Sequence, residues 1–340
     1  MAVIQIYSVF IALLISVPIY YFFGETGIVP VIVLMALASL LLTVNYSYRL
    51  YPLRLRGAEG ILGEGMEMVR LGVAFVLAGI FGSGAEMLVR SYLNVVGDLD
   101  VVGLYNAGFM LTVTYAGMVF SAMETDFFPR LSGVSGDSAK MSETVNRQIE
   151  VSLLLVSPML AALIIFLPIL VPLLFRSDFS LMVPMAQIAV FSMYIKAVSL
   201  PMSYQVLARG DSLAYLCIEG TYSIFMVVLI ILGYQRWGLL GTGIALDVSY
   251  LIDLVITYLY THFRYGYQVS APVLQVICIQ LPLGVAVYLL TQLNNPVLYW
   301  VLGLLLCLVS LSQSLYILYQ KASLWAALGV KLKNLFKKHA

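Results

Sequence analysis

Charge is scarce in this chain. Of 340 residues, 10% are charged and 62% are apolar, whereas soluble domains carry about 25% charged residues. So few charges cannot cover a surface facing water. This excludes a soluble globular protein and makes lipid the main solvent. The formal net charge of +1 implies no strongly basic or acidic partner, and no nucleic acid. Cysteine is nearly absent. Cys217, Cys278 and Cys307 stand singly in apolar runs, which excludes CxxC chemistry and leaves them as small packing residues. The two histidines, His262 and His339, lie near segment ends, and no cluster has metal-ligand spacing. A Walker-type phosphate loop and a nucleophile elbow are both missing. No catalytic constellation, cofactor or metal is therefore expected.

What the chain does have is long apolar runs. A bilayer core takes roughly 20 apolar residues of helix to cross. Ten segments qualify, at approximately 3–23, 27–45, 68–94, 101–123, 150–175, 182–208, 213–232, 238–261, 272–291 and 297–318. Backbone exposed to lipid must satisfy its own hydrogen bonds, so these read as helices. They are too long and too uniformly apolar for barrel strands. The fold class expected is all-α integral membrane. Pro168, Pro172, Pro184 and Pro201 predict kinks or breaks inside their segments.

Basic residues set the orientation. Arg49, Arg54, Arg56 and Arg70 flank the second connection, and Arg130, Lys140 and Arg147 lie in the fourth. Arg209 and Arg264 follow in the sixth and eighth, and five lysines from Lys321 to Lys338 lie in the tail. The alternate connections hold only Arg176 and Arg236. Even-numbered connections and both termini are thus expected in the cytoplasm. The tail from Leu324 to Lys338 alternates apolar and basic residues and reads as an interfacial helix on an anionic leaflet. Met1 runs into an apolar helix without a positive leader, so a signal peptide is a poor reading.

Charges inside spans are the informative ones, because Arg or Lys at mid-bilayer costs about 2.5–3.5 kcal/mol. Glu86 and Arg90 are four apart and share a helix face with Gly72, Gly79 and Gly82. This suits a cavity wall, or equally a self-neutralising pair near the interface. The fourth segment carries Tyr105, Gly108, Thr112 and Tyr115 at helical spacing, with Asn106 beside them. That stripe suits a sugar path, or ordinary interhelical hydrogen bonds. Lys196 sits near mid-segment with no local partner, and a buried pair with a carboxylate such as Asp247 is the structural alternative. Asp253 and Glu219 lie nearer the cytoplasmic end, where water can reach them.

The stretch Val102-Gly-Leu-Tyr-Asn-Ala-Gly-Phe109, and then Tyr115 through Asp126-Phe-Phe-Pro129-Arg130-Leu-Ser132, resembles the O-antigen and polysaccharide flippases. These belong to the multidrug/oligosaccharidyl-lipid/polysaccharide exporter superfamily. Arg209-Gly-Asp211 and Trp237-Gly-Leu-Leu-Gly-Thr-Gly-Ile-Ala245 are further matches. The resemblance implies two six-helix lobes about a central cavity that alternates its access. On that mapping 1–45 holds the last two helices of a partial first lobe, apparently lacking the first four, and 46–67 is the inter-lobe connection. The second lobe is 68–265, two additional helices occupy 266–318, and 319–340 is a basic tail.

The function this implies is flipping of polyprenyl diphosphate-linked oligosaccharide or O-antigen units across the bacterial cytoplasmic membrane. Arg90 and Lys196 would attract the diphosphate. Glu86, Tyr105, Asn106, Thr112, Tyr115 and Asp247 would complete the cavity, and Asp126, Pro129 and Arg130 would mark the cytoplasmic helix end. The resemblance leaves room for a coupling ion (proton or sodium) and for glycan polymerase machinery as partners, beside the bilayer itself. Three alternatives stand: a cation-coupled drug or metabolite exporter of the same superfamily, a membrane glycan polymerase, ligase or glycosyltransferase, and a non-transporting membrane scaffold.

Overall fold

Apolar segments of this length leave the backbone no partner but itself, and helix is the outcome throughout. The computed structural model describes residues 14–50, 61–293 and 295–337. Its helices are α1 (Leu14–Phe23), α2 (Ile28–Leu50), α3 (Ile61–Phe109), α4 (Tyr115–Ser132), α5 (Ser138–Leu174), α6 (Val183–Ala189), α7 (Phe191–Ala208), α8 (Ser212–Tyr265), α9 (Ala271–Leu290) and α10 (Pro296–Lys337). No strand occurs among the described residues. Each of the ten apolar segments contains helix, the first from Leu14 onward. Residues 3–13 of that segment, and 51–60 of the inter-lobe connection, lie outside the described residues.

The chain divides into two units, Met1–Glu64 and Gly65–Ala340. In the first, α1 and α2 meet at a 3-10 turn, Gly24–Gly27, where the Thr26 hydroxyl donates to the Phe23 carbonyl at 2.7 Å. All helices from α4 onward belong to the second unit.

Among the described residues five helices are long and apolar enough to cross a membrane, or six if α6 and α7 form one bent span. Two of these runs are hairpins. α3 breaks at Asp98, a non-glycine residue at φ 74°. Its carboxylate caps the second arm, accepting from the amides of Asp100 and Val101 at 3.0 and 3.2 Å. α8 breaks at Trp237 and Gly238, the latter at φ 57°. The two arms of α8 then pass very close. A Cβ on Gly241 would lie 1.9 Å from the Gly233 carbonyl oxygen. Gly238 supplies a dihedral that L-residues rarely adopt and Gly241 supplies the close approach, which is what the Trp-Gly-Leu-Leu-Gly motif is for.

The core is built on α5, α7 and α8, with Ile164, Ile165 and Leu160 of α5 fully buried. Proline disturbs the ladder of α5, since Pro168 has no amide to bond the Ile164 carbonyl. Gln187 of α6 donates its side-chain amide to that carbonyl at 3.0 Å. The Tyr299 hydroxyl reaches the neighbouring Ile165 carbonyl at 2.7 Å.

One expectation about helix breaks needs correction. Pro184 starts a helix, occupying its first turn, rather than breaking one. The 41° bend of that segment falls at Val190. There the Met193 amide bonds the Val190 carbonyl at 3.0 Å, a tight i→i−3 turn. The Ala189 carbonyl takes the Ser192 hydroxyl instead, at 2.6 Å. α10 runs unbroken from Pro296 to Lys337, and its apolar, membrane-length part is Pro296–Lys321.

α9 and α10 pack on α5 and on each other through Gln280, which accepts from the Ser310 hydroxyl at 2.6 Å and donates to Ser314 at 3.1 Å. The connection from α8 to α9 is held by Asn146 of α5. Its amide donates to the Gln268 carbonyl at 2.9 Å, and its oxygen accepts from the Tyr267 hydroxyl and the Ser270 amide. Arg130, Lys140, Arg147, Arg209, Arg264 and Lys321 gather at one end of the unit, called here the basic end.

Candidate functional site

A cavity of about 410 Å³ opens between α3, α4, α7 and α8. Glu86, Phe109, Ser121, Lys196, Tyr222 and Tyr250 line it. α3 doubles back at Asp98, so its two arms run side by side, and residues eight before and eight after the break meet. Arg90 thus donates Nε to Asn106 Oδ1 at 2.8 Å, while its Nη2 pairs with Glu86 Oε2 at 2.9 Å. The guanidinium also lies 6.0 Å from the Phe109 ring centre. Glu86, Arg90 and Asn106 form one locked group, with Glu86 turned to the cavity. Both members of the ion pair keep about a third of their side-chain surface, 37% each.

Lys196 enters from α7. Its ammonium sits 5.9 Å from the Tyr250 ring centre, and Tyr250 packs against Tyr222 at 5.1 Å across the arms of α8. Among the described residues Lys196 has no carboxylate within ion-pair distance, although Glu219 and Asp253 lie within electrostatic reach. Asp247 is not its partner. That carboxylate neighbours Ser192 and Tyr288 and leaves Oδ1 buried without a hydrogen bond. Six residues on, Asp253 has rotated to the Lys196 side. It is buried, at 8% exposure, rather than wet.

The stripe on the fourth segment does not line the cavity as one face. Met110–Thr114 form a π-helical turn. A π turn takes up an extra residue, so it rotates everything beyond it relative to what precedes it. Thr112 is fully buried and donates to the Gly108 carbonyl at 2.8 Å, while Tyr115 is half exposed. Tyr105 is buried, its hydroxyl without a partner. The cavity is instead faced by Val113, Thr114, Gly117, Met118 and Ser121. The structure brings Glu86, Arg90, Asn106 and Lys196 together; Tyr105, Thr112, Tyr115 and Asp247 stand apart from the wall. Tyr222, Tyr250 and Phe109 are wall residues that sequence reasoning passed over.

The motifs at the basic end are clamps. Arg130 pairs with Asp126 at 3.1 Å on an exposed helix end, one residue beyond Pro129. Phe127 beside them is buried, and Phe128 packs on Tyr204 at 5.8 Å. In Arg209-Gly-Asp211, the Arg209 guanidinium stacks 4.6 Å from Tyr265 and donates to the Ser138 hydroxyl at 2.8 Å. Asp211 accepts the hydroxyls of Tyr260 and Tyr265 at 2.5 and 3.0 Å. Burial pushes the Asp211 carboxyl up, but these hydrogen bonds together outweigh it and hold the group below the usual carboxylate range.

Residues 1–184 match the family model described as polysaccharide biosynthesis protein. The chain belongs to that family. No curated protein matches it in sequence. Among solved structures it is similar to an outward-facing multidrug resistance MATE family transporter of the MOP superfamily. That match has a TM-score of 0.66 at 14% identity, over 78% of this chain and 62% of the transporter. A lipid II flippase, MurJ, in an inward closed conformation aligns at a TM-score of 0.46 and 14% identity, over 92% of this chain and 66% of MurJ. The chain therefore shares the fold of that MATE transporter and spans 62% of its length, and its apolar helices make it a multi-pass membrane protein.

Proposed function

We propose that this family member flips polyprenyl diphosphate-linked oligosaccharide, such as O-antigen repeat units, across the bacterial cytoplasmic membrane with its basic end inward. The observation that carries the reading is Lys196. It is a cation in mid-span, without an ion pair among the described residues, and it opens into a cavity whose wall also holds aromatic rings and Glu86, the partner of Arg90. A cation at that depth without an ion pair is costly, and an anionic substrate offsets the cost further than Glu86, Glu219 and Asp253 nearby do. A diphosphate supplies the charge, and the faces of Tyr222, Tyr250 and Phe109 supply apolar surface for sugar rings. Alternating access follows from rocking of one helical lobe against another, with no bond made or broken. A coupling ion, proton or sodium, would add the driving force.

The test is glycan export in a strain lacking its own flippase, at matched membrane abundance. Lys196→Ala and Arg90→Ala should abolish export. Arg90→Lys should keep part of it, because it retains the charge and loses the bidentate fork. Wild-type export by both alanine variants overturns the cationic-cavity reading. The competing reading, a cation-coupled drug exporter, draws on Glu86, Glu219 and Asp253 around the same cavity. It requires efflux of cationic dyes that glutamine at Glu86 reduces.

A further inference from the structure

At the basic end two adjoining cavities flank α5 and together form a seam, one of about 550 Å³ against α9 and α10 and one of about 660 Å³ against α4. Glu143, Arg147 and Val151 wall both of them. On α5 the lining residues Lys140, Thr144, Arg147, Val151 and Leu154 follow one another three or four apart, so they stand on one face. That face is polar and cationic over its first turns and apolar beyond. α10 repeats the gradation from the other side, with Lys321 toward the basic end and Leu318 one turn deeper. The linings together hold four cations, Arg130, Lys140, Arg147 and Lys321, against two carboxylates, Glu143 and Glu150.

Two of the cations are held only loosely by partners outside the cavities. Arg130 pairs with Asp126, whose side chain is 80% exposed, and Lys140 with Asp137, which is 44% exposed. Exposed pairs of this kind contribute little and yield readily to a better anion. Lys321 differs, pairing with the buried Glu150 and joining α10 to α5.

We infer that the seam is a binding site for an anionic phospholipid. Its phosphate lies against Lys140 and Arg147, and its acyl chain runs past Val151, Leu154 and Leu318. A phosphate is the shared chemistry of a lipid head group and of a soluble phosphate. The apolar wall of the adjoining cavity, reached past Arg147 and Val151, selects the lipid, because a soluble anion gains nothing from Leu154 and Leu318. The polarity of the seam also matches that of a phospholipid in the leaflet at the basic end. So placed, the lipid bridges α5 to α10 beside the Lys321–Glu150 contact and fastens the α9–α10 pair to the rest of the unit. The inference does not depend on what the central cavity carries.

The experiment is native mass spectrometry of the full chain released from neutral detergent loaded with phosphatidylglycerol, phosphatidylcholine or inorganic phosphate. Phosphatidylglycerol should be retained over phosphatidylcholine. Lys140→Gln and Arg147→Gln should each lower that retention about fivefold, at about 1 kcal/mol per basic residue near an anionic surface. Arg176→Gln, at the opposite end, should leave it unchanged. Leu318→Glu keeps all four cations and should still lose the lipid. Equal retention of the two lipids by the unaltered protein, a comparison that needs no variant, overturns the site. So does full retention by the doubly substituted Lys140→Gln, Arg147→Gln protein. Displacement of the lipid by excess inorganic phosphate, with Leu318→Glu still binding, would make it a soluble-anion site and overturn the lipid assignment.

Discussion

Replacing Gln187 with leucine tests whether the kinked α5 depends on a side chain from another helix. Pro168 has no amide, so the Ile164 carbonyl loses its i+4 donor, and Gln187 Nε2 supplies the substitute at 3.0 Å. Gln187 is 5% exposed and Ile164 is fully buried. Leucine is close to glutamine in volume, so Gln187→Leu removes the donor and leaves an unsatisfied carbonyl. That costs about 1–3 kcal/mol in general. Interhelical hydrogen bonds in bilayers average about 0.6 kcal/mol and reach about 1.7 kcal/mol, so about 1–2 kcal/mol is expected for a carbonyl with no other donor. Pro168→Ala returns an amide to the same carbonyl. In that background Gln187→Leu should cost about 0.5 kcal/mol or less, giving a coupling of about 1 kcal/mol between two residues on different helices. Reversible unfolding of the four proteins in mixed micelles measures each corner of the cycle. Costs that add within about 0.3 kcal/mol would refute the idea that Gln187 stands in for the amide that proline lacks.

Gly241→Ala would place a Cβ 1.9 Å from the Gly233 carbonyl oxygen, and neither backbone can yield alone. A loss of about 3 kcal/mol or more in the same unfolding assay is expected. Asn146→Ala removes the hub that holds 267–270 to α5. Amide exchange of Tyr267 and Ser270 should quicken at least tenfold while α7 stays protected. Asp211 has a folded pKa below its ordinary value, so its stabilisation is complete above the unfolded pKa of about 3.9 and is lost as pH falls through the lower folded value. Asp211→Asn should therefore cost about 1 kcal/mol at neutral pH, a solvent-reduced figure for a partly exposed group. The thermal gap between variant and wild type should close below pH 3.

Helical class and segment positions were legible because they follow from one constraint, the absence of backbone partners in lipid. The turn in α8 was legible in part, since Trp-Gly at the head of a glycine-rich run marks a place where chain reverses and arms touch. Asp98 was harder to read. It adopts a positive φ that sequence gives no reason to expect of aspartate, and only its cap on Asp100 and Val101 explains the choice. Proline positions were read as breaks, yet what matters at Pro168 is which side chain fills the vacancy. A lone glutamine in the apolar run Met185-Ala-Gln187-Ile was the signal for it. The end of the apolar part of α10 near Lys321 leaves no mark in the helix, because hydropathy and hydrogen bonding answer different questions.

The site shows where periodicity stops being a guide. Tyr105, Thr112 and Tyr115 are in phase for a straight α-helix, but the π turn at Met110–Thr114 breaks that phase. No residue in Met-Leu-Thr-Val-Thr forces such a turn. It lies where Met110–Thr114 packs on α6, with Gly108 at the end of α3 so near Met185 that a Cβ would meet its sulfur at 2.8 Å. Aromatic wall residues were hidden for another reason. Tyr222 and Tyr250 are two among 23 tyrosines, 28 positions apart, and only the α8 hairpin puts their rings together under Lys196. The charges behaved differently. Arg90 and Lys196 stood out because each violates the energetics of a span, and such a violation survives any change of helical phase. In a membrane protein an intramembrane cation marks its own importance, while the residues that surround it are chosen by helix contacts that a single sequence does not display.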